Sequence, residues 1–155
     1  MIEGNAMNVF FVCTGNTCRS PMAEAILRAK QLPAVEVRSA GLFAMDGGDI
    51  SDHARDVLLE AGIEVDHSSS LLTREDVEWA TIILTMTTGH KAGILQQHPS
   101  AREKTFTLKE YVRPYGSHDI SDPFGGDVYQ YKQTFKELQV LIEELEAKLA
   151  GGDDI

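Results

Sequence analysis

Residues 9–13 read Val-Phe-Phe-Val-Cys, and the way this run ends constrains the fold of the chain more than any other feature. Aromatic and β-branched side chains suit a strand. The run stops at Cys13 and gives way to Thr14-Gly15-Asn16-Thr17-Cys18-Arg19, which has neither strand nor helix periodicity. Ser20-Pro21 then opens an alanine-containing stretch, with proline suited to a first helical position and Ser20 placed to cap it. A strand feeding a helix through a short loop is the start of a right-handed crossover, and crossovers join parallel strands.

The same alternation continues along the chain. Short apolar or β-branched runs at residues 8–13, 35–39, 81–86 and 105–108 predict four strands. Between and after them, helices are predicted over 21–31, 51–61 with Gly62 as the stop, from about 73–76, over 88–97 before His98-Pro99, and over 127–149. The expected architecture is α/β, a doubly wound parallel sheet with helices on both faces, in which ligands bind beyond the carboxyl ends of the strands. The last helix carries Val128, Tyr131, Phe135, Leu138, Ile142, Leu145 and Leu149 at alternating spacings of three and four. That seam fits a coiled coil in principle, but a sheet that needs covering makes intramolecular packing the expectation.

With 155 residues and 43% hydrophobic content, one domain is expected, over 7–149. Residues 1–6, ahead of Met7, are read as an extension or added remnant, and 150–155 as a frayed tail. No apolar run reaches the ~20 residues of a membrane span and no secretory leader is visible, so a cytoplasmic location is expected. A formal charge of −10 without a basic run argues against nucleic acid as a partner. An acidic surface also repels a small dianion, so if the substrate carries phosphate, the attraction must be local to its pocket. Cys13 and Cys18 are the only cysteines, too few for a disulfide framework and wrongly spaced for zinc. His53, His90, His98 and His118 show no ligand spacing, and neither metal nor cofactor is expected.

A loop that ends at a helix amino terminus can aim successive backbone N–H groups at one point, where the helix dipole adds positive potential. Gly15 permits close approach or a positive φ, and Asn16 tolerates a left-handed conformation. Arg19 adds a planar fork able to hold two phosphoryl oxygens. The donors that cradle an anion also favour the thiolate of Cys13, which then lies beneath phosphorus as a nucleophile. Thr14, Gly15, Asn16, Thr17 and Cys18 form the expected substrate cradle. Asp122, in Ser121-Asp122-Pro123-Phe124-Gly125-Gly126, is the candidate acid–base residue, with Asp119 as runner-up.

The stretch Val12-Cys13-Thr14-Gly15-Asn16-Thr17-Cys18-Arg19-Ser20-Pro21 resembles the signature of the low-molecular-weight protein tyrosine phosphatases. The similarity continues through Ser39-Ala40-Gly41, His67 and Asp122-Pro123, spanning about residues 7–148. It implies a three-layer, flavodoxin-like fold with a four-stranded parallel sheet ordered 2-1-3-4. It further implies that Asp122 is the general acid, that Ser20 steadies the thiolate, and that Asn16, Ser39 and His67 hold the loop in shape.

Tyrosine-directed members commonly have an aliphatic residue where this chain has Thr17, and an aromatic pair after Asp-Pro where it has Phe124-Gly125. Both departures resemble the bacterial protein-arginine-phosphatase branch. A threonine hydroxyl accepts a hydrogen bond from a guanidinium, which an aliphatic group cannot, and Phe124 offers a stacking face. Phosphoarginine on proteins is therefore the expected substrate, with phosphotyrosine the alternative. Arsenate reduction is disfavoured because its usual thiol relay needs more cysteines. A non-catalytic phosphoprotein binder is disfavoured by the presence of both Cys13 and Arg19. A monomer is favoured, and a reversible Cys13–Cys18 disulfide under oxidation is a further expectation.

Overall fold

The computed structural model describes residues 6–113 and 115–151. Its central strand is β1 (Met7–Cys13), with α1 (Arg19–Ala29) and β2 (Val35–Gly41) completing the first crossover. Helices α2 (Asp52–Glu60) and α3 (Arg74–Trp79) lead to β3 (Ile82–Thr85) and α4 (Thr88–Gln97). A 3₁₀ helix (Pro99–Lys104), β4 (Thr105–Thr107), α5 (Leu108–Val112) and α6 (Val128–Gly151) finish the chain. All strand pairs are parallel, in the order β2-β1-β3-β4. The connection from β1 runs to β2 on one side and that from β3 runs to β4 on the other, so the carboxyl ends of β1 and β3 flank the reversal of strand order where a crevice opens.

Strand periodicity decides which layer each β1 side chain joins. Val9, Phe11 and Cys13 pack in one core with Met22 and Ile26 of α1, Ala54 and Leu58 of α2, and Leu138 and Ile142 of α6. Phe10 and Val12 point the other way, to Val77 of α3, Ile94 of α4 and Ala101. Cys13 therefore emerges on the α1 side, beside the amino terminus of the helix that comes next in the chain. Tyr131, Phe135, Leu138, Ile142 and Leu145 of the α6 seam are all buried within the molecule. The seam packs within the molecule against α1, α2 and α5, while Val128 at its start is exposed.

Helix starts coincide with side-chain caps where the sequence supplies them. Ser51 accepts from the Ala54 amide, Thr87 from His90, and Thr73 and Asp76 cap each other's backbone reciprocally. Four expectations need correction. Helix α1 begins at Arg19, not Pro21, and Ser20 does not cap it: Cys18 holds that position and makes no side-chain cap bond. Pro21 is accommodated because amides in a first helical turn have no intrahelical acceptor to lose. Leu108 is not in a strand but opens α5, where Thr107 and Glu110 form a capping box. Strand β2 runs to Gly41, since parallel pairing persists to Cys13↔Gly41. Helix α6 runs to Gly151 and takes in the first residues of the expected frayed tail. Residues 1–5 and 152–155 lie outside the described residues. No described helix is long and apolar enough to cross a membrane.

Candidate active site

The loop after β1 turns sharply at Asn16, whose φ of 58° lies in the left-handed region. Asparagine is one of the few non-glycine residues that accept this at low cost. Gly15 has no positive φ, and a Cβ there would meet only Thr17 Oγ1 at 3.7 Å, so the expected backbone freedom is exercised one residue later. Gly41 on β2 supplies the close approach. A Cβ on Gly41 would stand 2.5 Å from the Thr14 carbonyl oxygen and 2.9 Å from the Asn16 nitrogen. The neighbouring chain then pins the loop, with the Leu42 amide donating to the Cys13 carbonyl and the Phe43 amide to that of Thr14. Among the described residues, the amides of Gly15, Asn16, Thr17 and Cys18 donate to no protein acceptor. They remain available to an anion.

Asn16 is fully buried and is not among the residues that line the cavity, and its side chain serves the loop. It organises two proton-ordered chains. Asn16 Nδ2 donates at 2.9 Å to both Ser20 Oγ and Ser39 Oγ, while its Oδ1 accepts from the Ser70 amide at 3.0 Å. Because Ser20 Oγ accepts from Asn16, its own hydrogen is free for Cys13 Sγ, 2.8 Å away. Ser39 likewise passes its hydrogen to Glu24 Oε1 at 2.5 Å. His67 Nε2 lies 2.7 Å from the Asn16 carbonyl, which can only accept, so Nε2 carries a proton; Nδ1 faces Glu24 Oε1 at 3.6 Å. Burial works to raise the Glu24 pKa, but hydrogen bonds from His67 and Ser39 and the charge of Arg28 outweigh it and leave it below the ordinary value. Glu24 therefore stays ionised and anchors the network. Sequence reasoning assigned it no role, although it sits one helical turn after Ser20 on the same face.

Arg19 is buried, and its Nη1 donates to the Ile120 carbonyl at 2.8 Å. Its Nη2 stands 3.3 Å from Asp122 Oδ2, whose side chain is half exposed. The other carboxylate oxygen of Asp122 accepts from the Phe124 amide at 3.1 Å, closing a turn that continues through Gly125 at φ 80°. Cys13, Thr17, Arg19, Asp122 and Phe124 face a common cavity of about 220 Å³, together with Thr14, Gly15 and Cys18. Phe124 is largely exposed at its mouth. Asp119 is elsewhere: its Oδ1 accepts from the Thr88 amide at 2.8 Å, at the start of α4. Two partners of the loop were missed from sequence. His90 Nε2 lies 2.8 Å from Thr14 Oγ1, and Cys18 Sγ lies 3.3 Å from the Tyr131 hydroxyl. Burial, with the Cys18 contact second, pushes the Tyr131 phenol up to about 12. Among the described residues no cluster of three or more His, Cys, Asp or Glu is arranged to hold a metal.

A thiol at a strand end, beneath unpaired amides and beside a buried guanidinium, is a site for attack on a tetrahedral oxyanion. The chain matches the family described as low molecular weight phosphotyrosine protein phosphatase over residues 8–152, and it belongs to that family. It is similar to the protein-arginine-phosphatase of Geobacillus stearothermophilus, with 54% identity over 91% of this chain and 95% of the relative. A solved structure of YwlE arginine phosphatase from that organism aligns with a TM-score of 0.91 and 53% identity over 93% of each chain. The protein-arginine-phosphatase of Bacillus subtilis (strain 168) is 49% identical over 92% of this chain and 97% of its own. A YwlE arginine phosphatase mutant with a phosphorylated active-site serine aligns with a TM-score of 0.90 and 46% identity, over 94% of this chain and 97% of that one.

Proposed function

We propose that this chain is a protein-arginine phosphatase, working through a phosphocysteine intermediate formed on Cys13. The observation that carries the reading is the 2.8 Å contact between Cys13 Sγ and Ser20 Oγ at a cavity that also takes in the Arg19 guanidinium. Similarity to proteins named protein-arginine-phosphatase supports the substrate class. Arg19 and the amides of residues 14–19 hold the phosphoryl oxygens. The Cys13 thiolate attacks phosphorus, the S–P bond forms and the P–N bond breaks. Its electron pair returns to the guanidinium, which departs as a neutral guanidine and takes a proton from water. The Asp122 carboxylate holds the guanidinium in line, then removes a proton from the water that attacks phosphocysteine. Phosphate leaves and the Cys13 thiolate is restored.

Thr17 supplies the discrimination, its hydroxyl accepting an N–H of the substrate guanidinium, and Phe124 stacks on that plane. Ser20 steadies the thiolate, while Asn16, Ser39 and His67 hold the loop. Residues 7–149 form the working unit, as a monomer, in a cytosol that keeps Cys13 reduced. Oxidation is the exception, with Cys18 placed to capture an oxidised Cys13 as a disulfide.

Side-by-side kinetics on phosphoarginine and phosphotyrosine peptides test the reading. A much larger kcat/KM for phosphoarginine is expected, and Cys13→Ser should abolish turnover. Faster cleavage of phosphotyrosine would make the chain a tyrosine phosphatase. Absence of turnover on both would leave it a binder.

A further inference from the structure

His90 is buried against the Cys13 loop, yet the phosphatase mechanism gives it nothing to do. Its Nε2 lies 2.8 Å from Thr14 Oγ1, across 76 residues of sequence. Its Nδ1 is buried and has no partner among the described residues. Two tautomers are open to such a ring. If Nδ1 carried the hydrogen, a buried N–H donor would go unpaired while Nε2 accepted from the threonine. If Nε2 carries it, the hydrogen is used and only a lone pair is left without a partner. Orphaned buried donors are the rarer and costlier case, which selects the Nε2–H form. Position also favours neutrality, since His90 is the third residue of α4, at the positive end of the helix dipole. Burial lowers its pKa to about 4, with Arg19 adding to the effect and Asp122 and Asp119 opposing it.

We infer that His90 is a positioning residue: its Nε2–H donates to Thr14 Oγ1 and so turns the Thr14 hydroxyl hydrogen into the cavity, toward an oxygen of a bound phosphoryl group. A threonine hydroxyl has one hydrogen and rotates freely in solution. Here the lone-pair side is occupied by the imidazole, and Thr14 itself lines the cavity. The hydroxyl becomes a fixed donor that needs no reorientation when an anion arrives. This rests on the phosphatase reading for its purpose, but not for its geometry.

Two measurements on the intact chain test it. The first is ¹⁵N NMR of the imidazoles at pH 7, where His90 should be neutral with its hydrogen on Nε2. A hydrogen on Nδ1, or on both nitrogens, overturns the assignment. The second is the Kd for inorganic phosphate, read by NMR titration in the wild type, His90→Phe, Thr14→Val and the double variant. Each single variant should weaken binding roughly tenfold, the effect of losing one hydrogen bond to a charged group. The double variant should be no weaker than Thr14→Val alone, and His90→Gln, which keeps a donor near Nε2, should recover most of the loss. Losses that multiply in the double variant would mean that His90 acts on the fold and not through Thr14. Should His90→Phe not fold, the wild-type tautomer still decides. If the wild type hydrolyses neither phosphoarginine nor phosphotyrosine, the phosphatase reading fails, while the tautomer and the phosphate cycle still judge the dyad.

Discussion

Arg19 and Asp122 form an ion pair, Nη2 to Oδ2 at 3.3 Å, between a buried guanidinium and a half-exposed carboxylate. The same guanidinium is tied to the Ile120 carbonyl, so the loop bearing Asp122 is held to the cysteine loop through one side chain. A bound phosphoryl group would compete with Asp122 for Arg19 and release the carboxylate toward substrate or water. Asp122→Asn keeps the shape and removes the base. Hydrolysis of phosphocysteine should slow by about 10²–10⁴-fold, the usual span for a lost general base. Phosphoenzyme should then accumulate, visible by intact-mass measurement after mixing with a phosphoarginine peptide. Unmodified protein throughout turnover would count against that role.

Thr17 faces the cavity and can accept from a guanidinium. Thr17→Ile should lower kcat/KM for phosphoarginine by about tenfold or more, the penalty for an unpaired polar group, and leave phosphotyrosine cleavage equal or faster. The ratio of the two kcat/KM values is the measurement. An unchanged ratio would remove Thr17 from specificity without touching the phosphatase assignment.

Gly41 is fully packed against the loop it supports. Gly41→Ala places a methyl 2.5 Å from the Thr14 oxygen, against backbone that cannot swing aside as a side chain would. The loop must move, and stability should fall by about 1–3 kcal/mol in denaturant titrations. Displacement by a fraction of an ångström to one ångström should also reduce kcat/KM by up to about 10²-fold. A variant as active as the parent would show that the loop tolerates the shift.

Glu24 is buried with its pKa below the ordinary 4.5. A carboxylate whose folded pKa is depressed contributes stability above its unfolded pKa, and that contribution is lost as pH falls through the folded value. Glu24→Gln should therefore cost about 2 kcal/mol at pH 7, and the gap to the wild type should close only below pH 4.5. Urea melts at pH 7, 5 and about 3.5 measure it. A gap independent of pH would mean that shape, not charge, matters at this position.

Cys18 Sγ is 3.3 Å from the Tyr131 hydroxyl and 3.5 Å from Ser51 Oγ, and both cysteines are free thiols. Peroxide should inactivate the wild type and dithiothreitol should restore it. Cys18→Ser should be inactivated without full recovery, because an unresolved sulfenic acid proceeds to irreversible acids. Equal recovery in both would show that Cys18 does not capture Cys13.

By itself the sequence determined the strand that ends at Cys13, the turn at Asn16, the helix after Arg19 and hence an anion site at a strand's carboxyl end. These are local features, set by side-chain period, by the few residues that tolerate positive φ, and by helix dipoles, all contained within about a dozen positions. The parallel character of the sheet was also legible, because short strands alternate with helices and call for crossover connections, whereas its order 2-1-3-4 was implied only by the family resemblance. What only the tertiary structure decided depends on pairs far apart in the chain. It set Asp119 at the start of α4 and Asp122 on Arg19, a choice that Ile120 fixes by donating its amide to the Met86 carbonyl and accepting from Arg19. It brought Gly41 under the loop through the β1–β2 register, and His90 to Thr14 through the placement of α4 after β3. A hydrogen bond between residues 76 apart leaves no periodic trace in the chain, since its partners meet only once the layers have packed.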